Sequence, residues 1–190
     1  MRKYIITALI ILTIIVLYNF TFISRHSENY LPEVNSIQKK TGASNIVLVD
    51  FTRASCSDRL FIFKNGKPIY SGAVLHGNGK GSTPSKPFFS NKIGSNCSCL
   101  GLFKIIGKKK MANGYPALVL QGLDSTNNNA QVRGILIHPS LLVSLLPFEL
   151  EQANFPLTDS SKGCFTVSYH TYKTIENLHS PVYLYAKYDL

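Results

Sequence analysis

The Asn65-Gly66 pair restricts the fold of this chain more than any other feature of its sequence. The pair separates two runs rich in aromatic and aliphatic residues, 59–64 and 67–70. A type I′ turn needs positive φ at both central residues, and Asn followed by Gly meets that need with little strain. The pattern therefore predicts a β-hairpin, and the folded domain is expected to begin as antiparallel sheet.

Other short apolar runs, bounded by glycine, asparagine or proline, predict further strands. These runs are 46–49, 73–75, 102–106, 117–120, 134–137 and 181–185. The lysine triplet 108–110 falls between two of them and is predicted to lie in a solvated turn. Short helices are predicted at 141–146 and at 169–178, the second with Ser168 as its N-cap. The expected fold is mainly β, with one or two short helices.

Residues 4–24 contain no charged side chain and are rich in Ile and Leu. Their length is close to the roughly 20 residues that cross the hydrocarbon core of a bilayer as a helix. Because small residues are missing at a suitable processing position, the pattern favours an uncleaved transmembrane anchor, with a cleaved signal peptide as the alternative. Arg2 and Lys3 precede the segment, which predicts that the rest of the chain is exported and anchored in the cytoplasmic membrane.

These patterns divide the 190-residue chain into three parts. Residues 1–26 form the anchor or signal segment. Residues 27–44 form a linker that ends in a short helix stopped by Gly42, and residues 45–190 form one globular domain. That length is enough for a single domain with a proper core. The sequence carries no indication of the oligomeric state.

The chain is basic, with 20 Lys and Arg residues against 10 Asp and Glu residues. Residues 1–26 hold three of the basic residues and no acidic one, which leaves a formal net charge of +7 on the rest. Such a charge favours contact with anionic surfaces, and a cell-wall polymer outside the membrane fits this description. No basic helix or recognisable nucleic-acid-binding motif is present, so nucleic acid is not an expected partner.

Cys164 follows the turn Ser161-Lys162-Gly163 and stands at the head of a short apolar run. A glycine directly before a thiol allows a tight turn that aims backbone N–H groups at an incoming carbonyl. His138 closes the apolar run 134–137, so a buried strand would deliver its imidazole to the edge of the sheet. Cys164 is therefore a candidate nucleophile and His138 its candidate base. A small structural cysteine is the alternative interpretation.

The remaining histidines and cysteines carry weaker signals. His76 also closes an apolar run, so it either reaches the same rim or bonds to a loop carbonyl as a structural residue. The glycines after it do not form a phosphate loop, because Pro84 stands where a helix should begin. Cys97 and Cys99 lack further ligands at metal-binding spacing, so neither a metal nor an organic cofactor is expected. They are either small buried residues, or one of them pairs with Cys56.

Ten short sequence matches in a fixed order resemble a known family, the murein L,D-transpeptidase catalytic domain family, which is a branch of the L,D-transpeptidases. The resemblance extends from about residue 45 to residue 170. In chain order, the residues that carry it are Asp50-Phe51, Arg59-Leu60, His76-Gly77, Ser90-Asn91, Gly94-Ser95, Leu100-Gly101, Gly122-Leu123, Asn129-Ala130 with Arg133, Ile137-His138, and Ser161 with Gly163-Cys164.

This resemblance implies a β-sandwich or barrel, and a cysteine acyltransferase that joins peptidoglycan stem peptides. Cys164 would be the nucleophile and His138 the base, oriented by the backbone carbonyl of Pro139. The other site residues that the resemblance implies are Ser161, Lys162 and Gly163, which shape the oxyanion site, and His76 and Arg133, which bind substrate.

One residue departs from the pattern of the wider family at the site. That family usually reads Ser-His-Gly-Cys, whereas Lys162 replaces the histidine here. A role of that second imidazole therefore cannot be transferred to this chain. An ammonium group near the sulfur would instead favour the thiolate form of Cys164 and lower the pKa of its thiol.

Two other functions compete with cross-linking. An L,D-carboxypeptidase would form the same thioester on Cys164 and resolve it with water instead of an acceptor amine. An inactive peptidoglycan-binding module would keep the fold and the basic surface without the chemistry. The presence of both Cys164 and His138 argues against the inactive module.

Overall fold

In the computed structural model of this protein, the described residues are 27–55, 57–84, 86–145, 161–179 and 181–188, with positions 4, 10, 11 and 13. Within these residues, no helix has both the length and the apolar character needed to cross a bilayer. The predicted membrane segment 4–24 lies, apart from four positions, outside the described residues. The predicted loop 149–160 also lies outside them.

The described residues form one mixed sheet of nine strands that curls into a nearly closed, barrel-like shape. The strand order is β3-β2-β1-β9-β5-β6-β7-β8-β4. The mainly β prediction is confirmed. The strands are β1 (Asn45–Asp50), β2 (Leu60–Lys64), β3 (Lys67–Gly72), β4 (Val74–Leu75), β5 (Gly101–Lys110), β6 (Pro116–Gly122), β7 (Leu136–Pro139), β8 (Phe165–Val167) and β9 (Val182–Lys187).

The predicted hairpin is present between β2 and β3. Asn65 and Gly66 form its turn with φ values of 52° and 74°. Both values are positive, as the type I′ turn inferred from the sequence requires. The strand β2 also pairs antiparallel with β1, so this hairpin forms one end of the sheet.

The uninterrupted apolar sequence of β1 reflects burial on both faces of the sheet. Val47 and Val49 point into the main core. Ile46 and Leu48 point to the opposite face, where they pack in a second cluster of buried residues. A strand that is covered on both sides shows a continuous apolar run instead of an alternating one.

A helix covers this second face. Helix α1 (Leu31–Thr41) follows a short 3-10 turn at Glu28–Tyr30, and it ends at Gly42 with φ 68°. Val34 and Ile37 of α1 belong to the same cluster as Ile46. The helix expected to stop at Gly42 is therefore present, and it packs directly on the sheet.

Two short helices lie near the end of the sheet that carries β7 and β8. Helix α2 covers Leu141–Ser144 and helix α3 covers Tyr169–Glu176. The Ser168 side chain accepts a hydrogen bond from the Thr171 N–H at 3.0 Å, so its predicted role as N-cap of α3 is confirmed. Both helices end two residues earlier than expected.

The prediction that the lysine triplet lies in a turn is wrong. Lys108, Lys109 and Lys110 belong to β5 and pair with the residues 116–118 of β6. The turn follows them, where the Gly114 N–H donates to the Met111 carbonyl at 2.9 Å. The strand continues through three charged residues because β6 provides hydrogen-bond partners along its whole length, while the lysine side chains stay exposed.

Candidate active site

The parallel pair β7 and β8 brings the candidate base next to the candidate nucleophile. His138 pairs with Thr166 in this register. Cys164 lies directly before β8 and packs in a cluster with Leu136. Leu136 stands two residues before His138 on β7, and side chains two residues apart along a strand share one face of the sheet. His138 and Cys164 therefore lie on the same face. His138 sits within β7 instead of at its end, since the strand continues to Pro139.

Cys164 is buried in a mostly apolar setting. The residue is 9% exposed and packs in a small cluster with Ala117 and Leu136. The Cys164 thiol donates to the Gly134 carbonyl with an Sγ to O distance of 3.7 Å. Cys164 forms no disulfide in the structure.

A backbone carbonyl orients the imidazole of His138. Nδ1 of His138 lies 3.2 Å from the Pro139 carbonyl oxygen. A carbonyl can only accept, so this contact places the proton on Nδ1 and the lone pair on Nε2. Nε2 lies 3.4 Å from the Thr166 hydroxyl oxygen. The arrangement leaves a half-buried imidazole whose Nε2 faces the Thr166 hydroxyl on the neighbouring strand β8.

The turn before Cys164 depends on glycine. Gly163 has φ 111°, in the region that side chains with a Cβ rarely adopt. A Cβ at this position would also come within 2.6 Å of the Cys97 carbonyl oxygen. The Ser161 hydroxyl donates to the Cys164 carbonyl at 3.1 Å. Lys162, between them, is exposed.

Ser98 joins this turn to the loop that follows β4. Its hydroxyl accepts from the Gly77 N–H at 2.9 Å and donates to the Gly163 carbonyl at 3.1 Å. Ser98 is fully buried. Ser98 was not predicted from the sequence, because no local pattern marks it. Its position between Cys97 and Cys99 drew attention to the thiols, although the hydroxyl makes the contact.

His76 is held by its own loop. Its Nδ1 lies 3.0 Å from the Gly77 carbonyl oxygen and 3.2 Å from the Ser82 hydroxyl oxygen. The side chain is buried, with 7% of its surface exposed. The contact with a loop carbonyl that is expected of a structural histidine is thus present. Substrate binding by His76 stays a prediction.

Arg133 ties the segment 90–97 to the cysteine turn. Its guanidinium donates to the Ser90 carbonyl at 2.7 Å and to the Ser95 hydroxyl at 3.2 Å. It also donates to the Cys97 carbonyl, which is the oxygen that packs against Gly163. These contacts position the loop around the turn. Direct binding of substrate by Arg133 stays a prediction.

The other described thiols are free and buried. Neither Cys97 nor Cys99 forms a disulfide, so the possible bridge to Cys56 is not formed; Cys56 itself lies outside the described residues. Burial raises the pKa of the Cys99 thiol to about 11, against the opposing effect of the nearby Arg133 charge. The described part of the chain holds no group of three or more His, Cys, Asp or Glu side chains placed to bind a metal.

Gly77→Ala is expected to destabilise the protein and disturb the cysteine turn. A Cβ at Gly77 would lie 2.4 Å from the Asn96 carbonyl oxygen and 2.5 Å from the Gly163 nitrogen. Such overpacking costs about 1–3 kcal/mol, which lowers the melting temperature of a chain of this size by roughly 2–12 °C. Thermal unfolding followed by circular dichroism measures the effect.

The matched control is Gly107→Ala, because a Cβ at Gly107 meets nothing within 4 Å. Its melting temperature is expected to stay close to that of the wild type. Equal melting temperatures for the two variants would show that the close approach of Gly77 to Gly163 does not constrain the fold.

The Cys164 thiol follows a glycine turn, and a backbone carbonyl orients the imidazole of His138 on the neighbouring strand. These features define the class of the protein, one with a candidate thiol-enzyme site. The family described as the L,D-transpeptidase catalytic domain matches residues 22–186. The chain therefore belongs to the L,D-transpeptidase catalytic domain family, and the resemblance found in the sequence is confirmed. Among curated protein sequences, none matches this chain.

Solved structures of similar fold include several L,D-transpeptidases. One from Xylanimonas cellulosilytica is 13% identical, with 76% of this chain and 61% of that chain covered and a TM-score of 0.46. One from Mycobacterium smegmatis is 10% identical, with 76% and 59% covered and a TM-score of 0.45. The helical cell shape determining protein Pgp2 from Campylobacter jejuni is 14% identical, with 77% and 48% covered and a TM-score of 0.45. The chain thus spans about half to three fifths of these relatives.

Proposed function

We propose that this protein is an exported cysteine acyltransferase that cross-links peptidoglycan stem peptides through a thioester on Cys164. Family membership supports the reaction class. The observation that carries the proposal is the placement of Cys164 and His138 on one face of β7 and β8, with the imidazole oriented by Pro139.

In the first half-reaction, the Cys164 sulfur attacks the carbonyl of the third residue of a donor stem. His138 Nε2 takes the thiol proton, and the new C–S bond forms as the carbonyl becomes tetrahedral. The C–N bond to the terminal D-amino acid then breaks, and the proton held by His138 passes to the leaving amine. The acyl group is now a thioester on Cys164.

In the second half-reaction, an acceptor amine attacks the thioester carbonyl. His138 accepts the proton of that amine and returns it to the leaving sulfur. The products are an amide that joins two stems and the free thiol of Cys164. No metal or organic cofactor takes part in these steps.

The oxyanion of both tetrahedral intermediates needs backbone N–H donors. Gly163 and Cys164 supply these groups in the proposed mechanism, with Ser161 and Lys162 shaping the turn. The bonds from Ser98 and Ser161 fix the carbonyls of Gly163 and Cys164. Donors that are held in place before the substrate arrives need no reorganisation during the reaction.

Incubation of the protein with peptidoglycan fragments bearing tetrapeptide stems tests the proposal. Mass spectrometry is expected to show an adduct on Cys164, equal in mass to the donor minus its terminal D-amino acid. Digestion of treated sacculi should then reveal cross-linked dimers. Shortened stems without dimers would identify an L,D-carboxypeptidase, and bound fragments without any adduct would identify an inactive peptidoglycan-binding module.

Export and anchoring through residues 4–24 form part of the same proposal. They are supported by the uncharged apolar sequence of that segment and by the two basic residues before it. The stem-peptide substrate is also met outside the cytoplasmic membrane. Carbonate washing of membranes tests the anchor, because a protein released into the supernatant would contradict it.

A further inference from the structure

A row of side chains crosses the sheet from the lysine triplet to the candidate active site. Lys109 pairs with Ala117 across β5 and β6. The β6 and β7 register pairs Leu118 with Ile137, so its next step sets Ala117 beside His138. His138 in turn pairs with Thr166 of β8. Lys109 is therefore two strands away from His138.

The three lysines do not share one face of the sheet. Directly paired residues of neighbouring strands point to the same face. Ala117 packs in the cluster that contains Cys164, so Lys109, its partner, points to the face of the cysteine. Lys108 points to the opposite face, where its ammonium lies 3.4 Å from a Glu176 carboxylate oxygen. Lys110, two residues after Lys108, shares the face of Lys108.

A β-bulge in β5 determines which face of the sheet each lysine side chain occupies. Ile105 pairs with Leu120 in the main core, and Gly107 pairs with the next residue of β6, Val119. Ile106 is therefore an extra residue on β5, which shifts every following side chain to the other face. Without the bulge, the alternation would turn Lys109 away from Cys164.

Lys109 is free to meet a ligand on this face. Its side chain is exposed. Within the described part of the chain, it takes part in none of the four salt bridges. Two strand spacings of about 4.8 Å separate it from His138, and the small Ala117 side chain lies between them. The four-carbon stem of Lys109 can therefore extend over Ala117 towards the imidazole.

The proposed reaction places a negative charge in this region. The attacked carbonyl is followed by a single D-amino acid, so the donor's terminal carboxylate lies only about one residue length, roughly 3.8 Å, beyond it. A lysine ammonium is a compact point charge suited to a single carboxylate. A cation within reach of His138 on the face of Cys164 therefore complements the leaving residue.

We propose that Lys109 binds the terminal carboxylate of the donor stem peptide and so selects donors that end in a free D-amino acid. This inference rests on the proposed function. It assigns specificity to the β5–β6 hairpin, whose lysine triplet was predicted from the sequence to lie in a solvated turn. Lys109 acts as a substrate-binding residue and takes no part in proton transfer.

The test uses two synthetic tetrapeptide donors that differ only in their last group, a free carboxylate or a neutral carboxamide. The rate of Cys164 acylation is measured by quenched-flow mass spectrometry for each donor. The wild type is expected to acylate faster with the carboxylate donor, on the order of 10-fold, as one charged hydrogen bond allows. In Lys109→Ala, the ratio of the acylation rates with the carboxylate and carboxamide donors is expected to be close to 1. Lys109→Arg is expected to keep most of the wild-type ratio.

Lys110→Ala is the matched control, because it removes the same charge from an exposed neighbour on the opposite face. Its ratio should equal that of the wild type. An unchanged ratio in Lys109→Ala, or a ratio lost in Lys110→Ala or Lys162→Ala instead, would overturn the inference. If neither donor acylates the wild type at all, the proposed function itself fails. Equal iodoacetamide labelling of Cys164 in Lys109→Ala and wild type confirms that the turn is intact.

Discussion

Cys164→Ala is expected to abolish thioester formation and acyl transfer while leaving the protein folded. Loss of a covalent nucleophile lowers turnover on the order of 10⁶-fold, since no other group can form the intermediate. The fold should survive, because the substitution removes only the sulfur atom from a small cluster that includes Ala117 and Leu136. The adduct mass and the muropeptide pattern measure the effect.

Cys99→Ala is the matched control for this variant. The Cys99 thiol is buried and forms no disulfide, like that of Cys164, but its raised pKa keeps it neutral and unreactive near pH 7. Its activity is expected to stay close to that of the wild type. An adduct that persists in Cys164→Ala, or that disappears in Cys99→Ala, would place the nucleophile elsewhere.

His138→Ala is expected to slow acyl transfer on the order of 10²–10⁴-fold, the range for a missing general base. The Nδ1 contact with the Pro139 carbonyl leaves the Nε2 lone pair as the proton acceptor. Without it, no general base takes the thiol proton, and attack depends on ionisation of the thiol by solvent. Raising the pH should therefore restore part of the acylation rate in the variant, and the pH profile of that rate measures the effect.

His170→Ala is the matched control, because His170 lies on the exposed surface of α3, where its ring packs against Tyr70 at a centroid distance of 5.3 Å. It should change acylation little. A loss in His170→Ala as large as that in His138→Ala, or a pH profile of His138→Ala parallel to that of the wild type, would refute the assignment of the base.

Elements set by local backbone chemistry were predictable from the sequence. The Asn65-Gly66 turn and the Ser168 cap depend on a few adjacent residues whose conformational preferences are strong. The same holds for the stop of α1 at Gly42. The order of strands in the sheet was not predictable, because it depends on pairings between distant segments such as β1 with β9.

The lysine triplet shows where a prediction from sequence periodicity fails. Three consecutive charged residues resemble a turn, and Phe103 and Ile105 establish an alternation that the bulge at Ile106 then breaks. A one-residue shift in register is invisible in composition and reverses the faces of all later residues. Only the pairing with β6 reveals that Lys109 points to the face of Cys164.

The candidate site was predicted in part for a similar reason. Cys164 and His138 were identifiable because each stands at the boundary of an apolar run. Ser98 and Thr166 were not, since their hydroxyls gain a role only through contacts with Gly163 and His138. Contacts over long sequence separations carry no local signal.

The position of β9 sets the time at which this sheet can form. In the strand order, β9 stands between β1 and β5, and its Leu184 pairs with Val47 on one side and Phe103 on the other. Yet β9 follows all other strands along the chain. During synthesis, the strands β1–β3 and the strands β4–β8 therefore cannot join into one sheet until residues 182–187 have been made. Such late, long-range pairing is slow. The strand β9 begins eighteen residues after Cys164. The Cys164 thiol therefore remains in an incompletely folded chain until β9 has joined the sheet.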